Sequence, residues 1–205
     1  MLFYRVSVAL LKVFYAATGG IKLIGLENIP KSGGVILASN HISLADPPAV
    51  GIYSPRQVHY MAKEQLFRFP LGIWMRGVGS FPVRRGTGDR RALKRAIEML
   101  DQGRVVCIFP EGTRSPDGKL QSPELGIGLV ALKSRCPIVP AAIRDSDKVL
   151  PPHSKRVHRH RITVTYGPPF YFPDLYESKN SRAAIEEVGR RVMEAIRGLQ
   201  TEGAD

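Results

Sequence analysis

Apolar runs five or six residues long, most of them closed by a polar turn, alternate with helical segments through most of this chain. The runs are residues 34–39, 58–62, 78–83, 104–109, 138–143 and 162–166. No other feature constrains the fold as much. Strands interleaved with helices and short loops build an α/β sheet with helices on both faces. Between the runs, residues 47–52 read as a short helix with proline in its first turn. Residues 89–100 place Leu93, Ala96, Ile97 and Leu100 on one face, with Gly103 just past the end. Residues 125–134 are helical but carry two glycines, and residues 181–199 turn Ile185, Val188, Val192, Ile196 and Leu199 inward. Residues 144–160 form the longest irregular insertion. At 205 residues the chain suits one well-buried domain with a mixed, mostly parallel sheet.

Residues 2–18 are also helical in period. Leu2, Phe3, Val6, Ala9, Leu10, Val13, Phe14 and Ala17 form a stripe, Arg5 and Lys12 share the other face, and Gly19-Gly20 ends the segment. Such a helix either packs on its own domain or lies in a membrane interface with its cations at the head groups. The thin polar face and the cluster of Leu2, Phe3, Phe14 and Tyr15 at a terminus favour the membrane. Residues 1–20 are therefore expected as a membrane-associating helix and residues 21–205 as the working domain. No uncharged run reaches the ~20 residues needed to span a bilayer, and no cleavable signal is expected.

A net charge of +12 calls for an anionic partner: nucleic acid, an anionic membrane or a phosphorylated substrate. Two cysteines in apolar runs, Cys107 and Cys136, suit reduced thiols rather than a disulfide framework. No P-loop and no nucleophile elbow occurs. His153, His158 and His160 stand in a basic run without the partners of a metal site, so neither a metal nor a cofactor is expected.

Two stretches carry chemistry. In Asn40-His41-Ile42-Ser43-Leu44-Ala45-Asp46, the histidine and the aspartate are five apart. On a helix they would lie about 140° apart, so they meet only across a turn, which Asn40, Ser43 and Pro47 favour. The Asp46 carboxylate would then fix the tautomer of His41 and stabilise its protonated form, leaving the other ring nitrogen as a general base. The alternative makes Asp46 the N-cap of the helix opening at Pro47. About seventy residues later comes Phe109-Pro110-Glu111-Gly112-Thr113-Arg114-Ser115. Amides around Gly112, the Thr113 hydroxyl and the Arg114 charge suit a phosphate, the alternative being a plain surface turn. Arg84-Arg85-Gly86-Thr87-Gly88 is a second basic turn, equally readable as a solvated charge run. His41, Arg85 and Glu111 each follow an expected strand, and ligands gather at the carboxyl ends of such strands.

These blocks, in this order, resemble the glycerolipid acyltransferases typified by 1-acylglycerol-3-phosphate acyltransferase. Asn40-His41 through Asp46 is like the first block, and Gly79-Ser80-Phe81-Pro82-Val83-Arg84-Arg85-Gly86 like the second. Phe109 through Ser115 is like the third and Ile138-Val139-Pro140 like the fourth, the four spanning roughly residues 26–143. The resemblance implies that His41 is the base and Asp46 its partner. It implies that Arg85 and the turn of Glu111, Gly112 and Thr113, with Arg114, hold the acceptor's phosphate. Lys63 stands where such proteins often place a further phosphate-contacting cation, and Pro140 would shape the acyl-chain side of the cleft. Strand alternation lets only one of Arg84 and Arg85 point inward, and Arg85, beside Gly86, fits the family pattern.

The expected reaction is transfer of an acyl group from acyl-CoA or acyl-carrier protein to the free hydroxyl of lysophosphatidate, giving phosphatidate, at the cytoplasmic face of a membrane with an anionic surface. The nearest alternative acceptor is another lysophospholipid or glycerol 3-phosphate. A nucleic-acid-binding protein would explain the charge, but no nucleic-acid motif or aromatic–basic interleaving is present, so no nucleic acid is expected as partner. A non-catalytic membrane adaptor is the remaining alternative.

Overall fold

The computed structural model describes residues 2–84, 89–152, 154 and 156–202. From the N-terminus the elements are α1 (Leu2–Ala17), β1 (Ile21–Ile24), β2 (Val35–Ser39), α2 (Asp46–Gly51), β3 (Val58–Lys63), α3 (Leu71–Gly77) and β4 (Phe81–Val83). They continue with α4 (Arg90–Asp101), β5 (Val105–Ile108), α5 (Leu125–Ser134), β6 (Ile138–Arg144), α6 (Ser146–Val149), β7 (Ile162–Tyr166) and α7 (Arg182–Glu202). Seven strands make one sheet in the order β1-β7-β6-β2-β5-β3-β4. Neighbours from β6 through β4 run parallel, whereas β7 is antiparallel to β6 and carries β1 parallel to itself. The single mixed, mostly parallel α/β sheet read from the sequence is present.

The strands hold their places because both faces are covered. Ile36, Ala38, Val106 and Ile108 point toward α4, α5 and α7, meeting Ala96, Leu100, Val130, Val188 and Ile196. Val35, Leu37, Val105 and Cys107 point the other way, toward Tyr15 of α1, Ala49 and Val50 of α2 and Val149 of α6. Strands buried on both faces read as continuous apolar runs, which is why the sequence reveals them. The glycines of α5 have a packing reason: a Cβ on Gly128 would come within 2.1 Å of the Ile185 carbonyl oxygen, so the glycine lets α5 and α7 close on each other.

Five elements depart from expectation. β1 was not anticipated; it is an edge strand interrupted by Lys22. The strand expected at 78–83 covers only Phe81–Val83. Residues 71–77 instead form α3, which buries only Gly72 and Met75 and so shows no core-facing period. The insertion at 144–160 contains α6. Finally, α1 is docked and outward-facing at once. Ser7 and Tyr15 are buried and Val8 and Leu11 join the core, while Leu2, Phe3, Val6, Leu10, Val13 and Phe14 of the expected stripe are exposed.

The order of connection positions the site. The chain makes β5 on one side of β2 and returns as β6 on the other. The carboxyl end of β2 is therefore a switch point of the sheet, where a crevice opens.

Candidate active site

Just beyond β2, Asn40 continues the sheet with its side chain. Its amide nitrogen donates to the Ile143 carbonyl at 3.0 Å and its oxygen accepts from the Ile143 N–H at 2.8 Å. This pairing pins the turn that follows to β6. His41 comes next, 4% exposed, with its ring stacked on Phe109 at 4.3 Å between centroids.

Asp46 is fully buried and lies 2.8 Å from His41, Oδ2 to Nδ1. The same oxygen accepts from the N–H of Ile42 at 2.6 Å and of Ser43 at 2.7 Å. The other oxygen accepts from the Ser146 hydroxyl at 2.5 Å. The N-cap alternative does not describe Asp46: it begins α2 after an N-cap at Ala45, and its bonds run backward into the turn. The other three groups on the carboxylate, the Ile42 and Ser43 N–H and the Ser146 hydroxyl, are donors, so the pairing with His41 is completed by the tautomer that carries its proton on Nδ1. Nε2 keeps its lone pair and has no internal partner among the described residues. That is the tautomer a general base requires.

The loop after β5 is tied to the same place. Glu111 is buried, and its carboxylate accepts from the His41 N–H at 3.1 Å and from the Gln121 N–H at 3.1 Å. The Ser115 N–H donates to the His41 carbonyl at 2.7 Å. Burial raises the Glu111 carboxyl above its ordinary value, against the two amide bonds that lower it. Gly112 sits at φ 67°, and a Cβ there would lie 2.9 Å from Glu124. Glycine allows the turn on both counts. Thr113 and Arg114 remain exposed at its rim.

Two apolar hollows meet at Phe109 and Met61. One, of 230 Å³, runs from His41 between α1 and α3, past Tyr4, Leu11, Tyr60 and Trp74, and Lys63 stands on its lining. The other, of 610 Å³, lies beside Gly112 and Thr113 and is floored by Leu93, Leu125 and Leu129. His41, Asp46, Glu111, Gly112, Thr113 and Lys63 thus gather around one crevice, and Arg114 stands on its loop. Arg85, Gly86, Thr87 and Gly88, with His153 and Lys155, lie outside the described residues. Arg84, next to Arg85, is exposed and pairs with Glu64 at 3.0 Å. Pro140 lies inside β6 near Gly167 and lines neither hollow. Among the described residues no three His, Cys, Asp or Glu side chains are grouped to hold a metal. Sequence reasoning missed Asn40 and Ser146 as positioning residues. Ser146 lies 100 residues from its partner, and no local pattern marks it.

The family model for acyltransferases matches residues 20–144. The 1-acyl-sn-glycerol-3-phosphate acyltransferase of Bacillus subtilis is 30% identical over 198 residues, which are 93% of this chain and 96% of that protein. The protein of the same name from Helicobacter pylori is 30% identical over 183 residues, 84% of this chain and 76% of its own. Among solved structures, the 1-acyl-sn-glycerophosphate (LPA) acyltransferase PlsC from Thermotoga maritima superposes with a TM-score of 0.79 at 26% identity, covering 98% of this chain and 82% of that one.

Proposed function

This chain belongs to the acyltransferase family; it is an O-acyltransferase that acylates 1-acylglycerol 3-phosphate to phosphatidate, and we propose how its residues divide that work. Nε2 of His41 takes the proton from the acceptor's free hydroxyl as that oxygen attacks the thioester carbonyl of acyl-CoA or acyl-carrier protein. The tetrahedral intermediate expels the thiolate, which recovers the proton from the imidazolium. Asp46 holds the ring in its tautomer and stabilises the imidazolium between the two steps. The observation that carries this reading is the ring of four donors on the Asp46 carboxylate, His41 Nδ1 among them.

The acceptor's phosphate lies at the rim made by Gly112, Thr113 and Arg114, with Arg85 and Lys63 as further cations. Glu111 serves the phosphate indirectly, by holding the turn in place. The 230 Å³ hollow beside His41 takes an acyl chain, since its lining is apolar. No described helix is long and apolar enough to cross a membrane. The outer stripe of α1 reaches the lipid by lying in an anionic interface with Arg5 and Lys12 at the head groups, on the cytoplasmic side where the donor is found.

Purified protein assayed with lysophosphatidate, other lysophospholipids and glycerol 3-phosphate, each with acyl-CoA and with acyl-carrier protein, tests the reading. Lysophosphatidate is expected to give the highest kcat/KM. Arg114→Ala should raise KM for that acceptor roughly 10-fold or more, the value of a charge-assisted contact, with kcat little changed. A KM unchanged in that variant would remove Arg114 from the phosphate site, and preference for an acceptor without phosphate would overturn the assignment of the rim.

A further inference from the structure

A second stretch of the molecule, apart from α1, turns large apolar side chains outward. A 3-10 turn at Glu64–Phe67 leads into α3, and between them they expose Leu66, Phe69, Leu71 and Ile73. Phe69 is 85% exposed and Ile73 61%. Four such residues within eight positions exceed the scattered apolar exposure of an ordinary surface. From Gln65 to Ser80 the only charges are Arg68 and Arg76, and from Leu2 to Gly20 they are Arg5 and Lys12. The one carboxylate at their edge, Glu64 at the start of the 3-10 turn, is paired with Arg84 at 3.0 Å.

The two stretches adjoin. The Phe3 ring sits so close to Gly77 that a Cβ there would come within 2.3 Å of it. Their inner sides also face one cavity. Tyr4, Val8 and Leu11 from α1 and Leu66, Trp74 and Met75 from the second stretch all line the hollow that reaches His41. A cavity wall whose outside is apolar and whose charge, apart from the Glu64–Arg84 pair, is cationic matches a bilayer interface with anionic head groups.

We propose that residues 66–73 are a second bilayer-contacting element, which together with α1 sets the mouth of the His41 hollow into an anionic lipid surface. The proposal rests on the acyl-transfer reading for its purpose; the contact itself needs no reaction. Two attachment points on either side of one opening fix its orientation, where a single helix could roll about its own axis. An acyl chain then enters from the bilayer without crossing water.

Full-length protein is tested by co-sedimentation with substrate-free vesicles of phosphatidylglycerol and phosphatidylcholine. The variants are Phe69→Ser with Ile73→Ser, and, as the α1 comparison, Leu10→Ser with Val13→Ser. Melting temperature, sedimentation velocity and turnover of a water-soluble short-chain acceptor are measured alongside. The first variant should bind vesicles about tenfold or more weakly, since each buried large apolar side chain matters at that scale. Its melting temperature and soluble turnover should match the wild type. Single Phe69→Ser, at a side chain with little internal contact, gives the same reading should the double variant melt low. Vesicle binding equal to wild type at equal melting temperature would overturn the proposal. So would a wild-type dimer that the substitutions dissociate while vesicle binding persists, which would mark an interface between copies. Loss of vesicle binding in a protein that acylates no acceptor would uphold the contact and reject the reaction, so the two failures are distinguishable.

Discussion

The loop after β2 and the strand β3 each bury a histidine, and the two have opposite chemistry. His41 and His59 are similarly hidden, and each engages its Nδ1. The difference lies in the partner. His41 donates to the Asp46 carboxylate at 2.8 Å, which gains in attraction when the ring takes a proton. His59 donates to the neutral Gly79 carbonyl at 2.9 Å. Burial lowers the His59 pKa, and Arg104 and Arg95 lower it further, outweighing the bond to Gly79. Burial alone therefore does not make a base. On the proposed mechanism, a buried imidazole becomes one when a fixed anion waits on its far nitrogen and an open hollow on its near one.

Substituting each histidine in turn tests this contrast most severely. His41→Ala should reduce kcat roughly 10²–10⁴-fold, the contribution of a positioned base, and lower the melting temperature as well, because the buried Asp46 carboxylate loses a donor. His59→Ala should share only the second effect: turnover stays close to wild type, and stability falls by about 1–3 kcal/mol as the Gly79 carbonyl loses its buried partner. Should the His59 variant lose kcat at unchanged stability, the contrast fails.

The next test weakens the anion without removing the base. Asp46→Asn should lower kcat by ~10², the lower end of the range for His41, because an amide cannot accept from all the donors that surround the carboxylate. Ser146→Ala should have a smaller effect. It removes one charge-assisted bond of roughly 1.5–3 kcal/mol, shared between stability and turnover, and Ser146→Thr should restore part of both. A Ser146→Ala variant that lost melting temperature with kcat fully intact would make the serine structural only.

How these residues were encoded explains what the sequence made legible. The apolar runs of β2, β5 and β6 stand out because each is covered on two faces, and the turn after β2 follows from Asn40, Ser43 and Pro47. His41 and Asp46 were readable because one short loop holds both. Asn40 and Ser146 were not, since each works through a residue about a hundred positions away, and only the sheet order β6-β2-β5 brings them together. The capping alternative for Asp46 failed for a local reason: the carboxylate turns back onto the Ile42 and Ser43 amides. For α1 the outer stripe was legible as an amphipathic pattern. Its docked face was not, because Ser7 and Tyr15 are polar-tipped residues whose burial depends on partners such as the Ala45 carbonyl, 2.6 Å from the Tyr15 hydroxyl.

The smallest expected effect is the acid sensitivity of β3. In the unfolded chain His59 takes a proton near its ordinary value of 6.5, whereas in the fold it does so only at lower pH. The unfolded state therefore binds more protons once pH drops below that ordinary value. Stability is full above it and declines as pH falls toward the depressed folded value, with a slope of at most ~1.4 kcal/mol per pH unit. His59→Gln removes the titrating group, so its melting temperature should fall less than the wild type's between about pH 7 and about pH 5. The comparison is of slopes, because the substitution also changes packing and shifts the baseline. Equal slopes in the two proteins would mean that the β3 histidine titrates alike in both states, and the proposed difference between the two buried imidazoles would then reduce to their geometry.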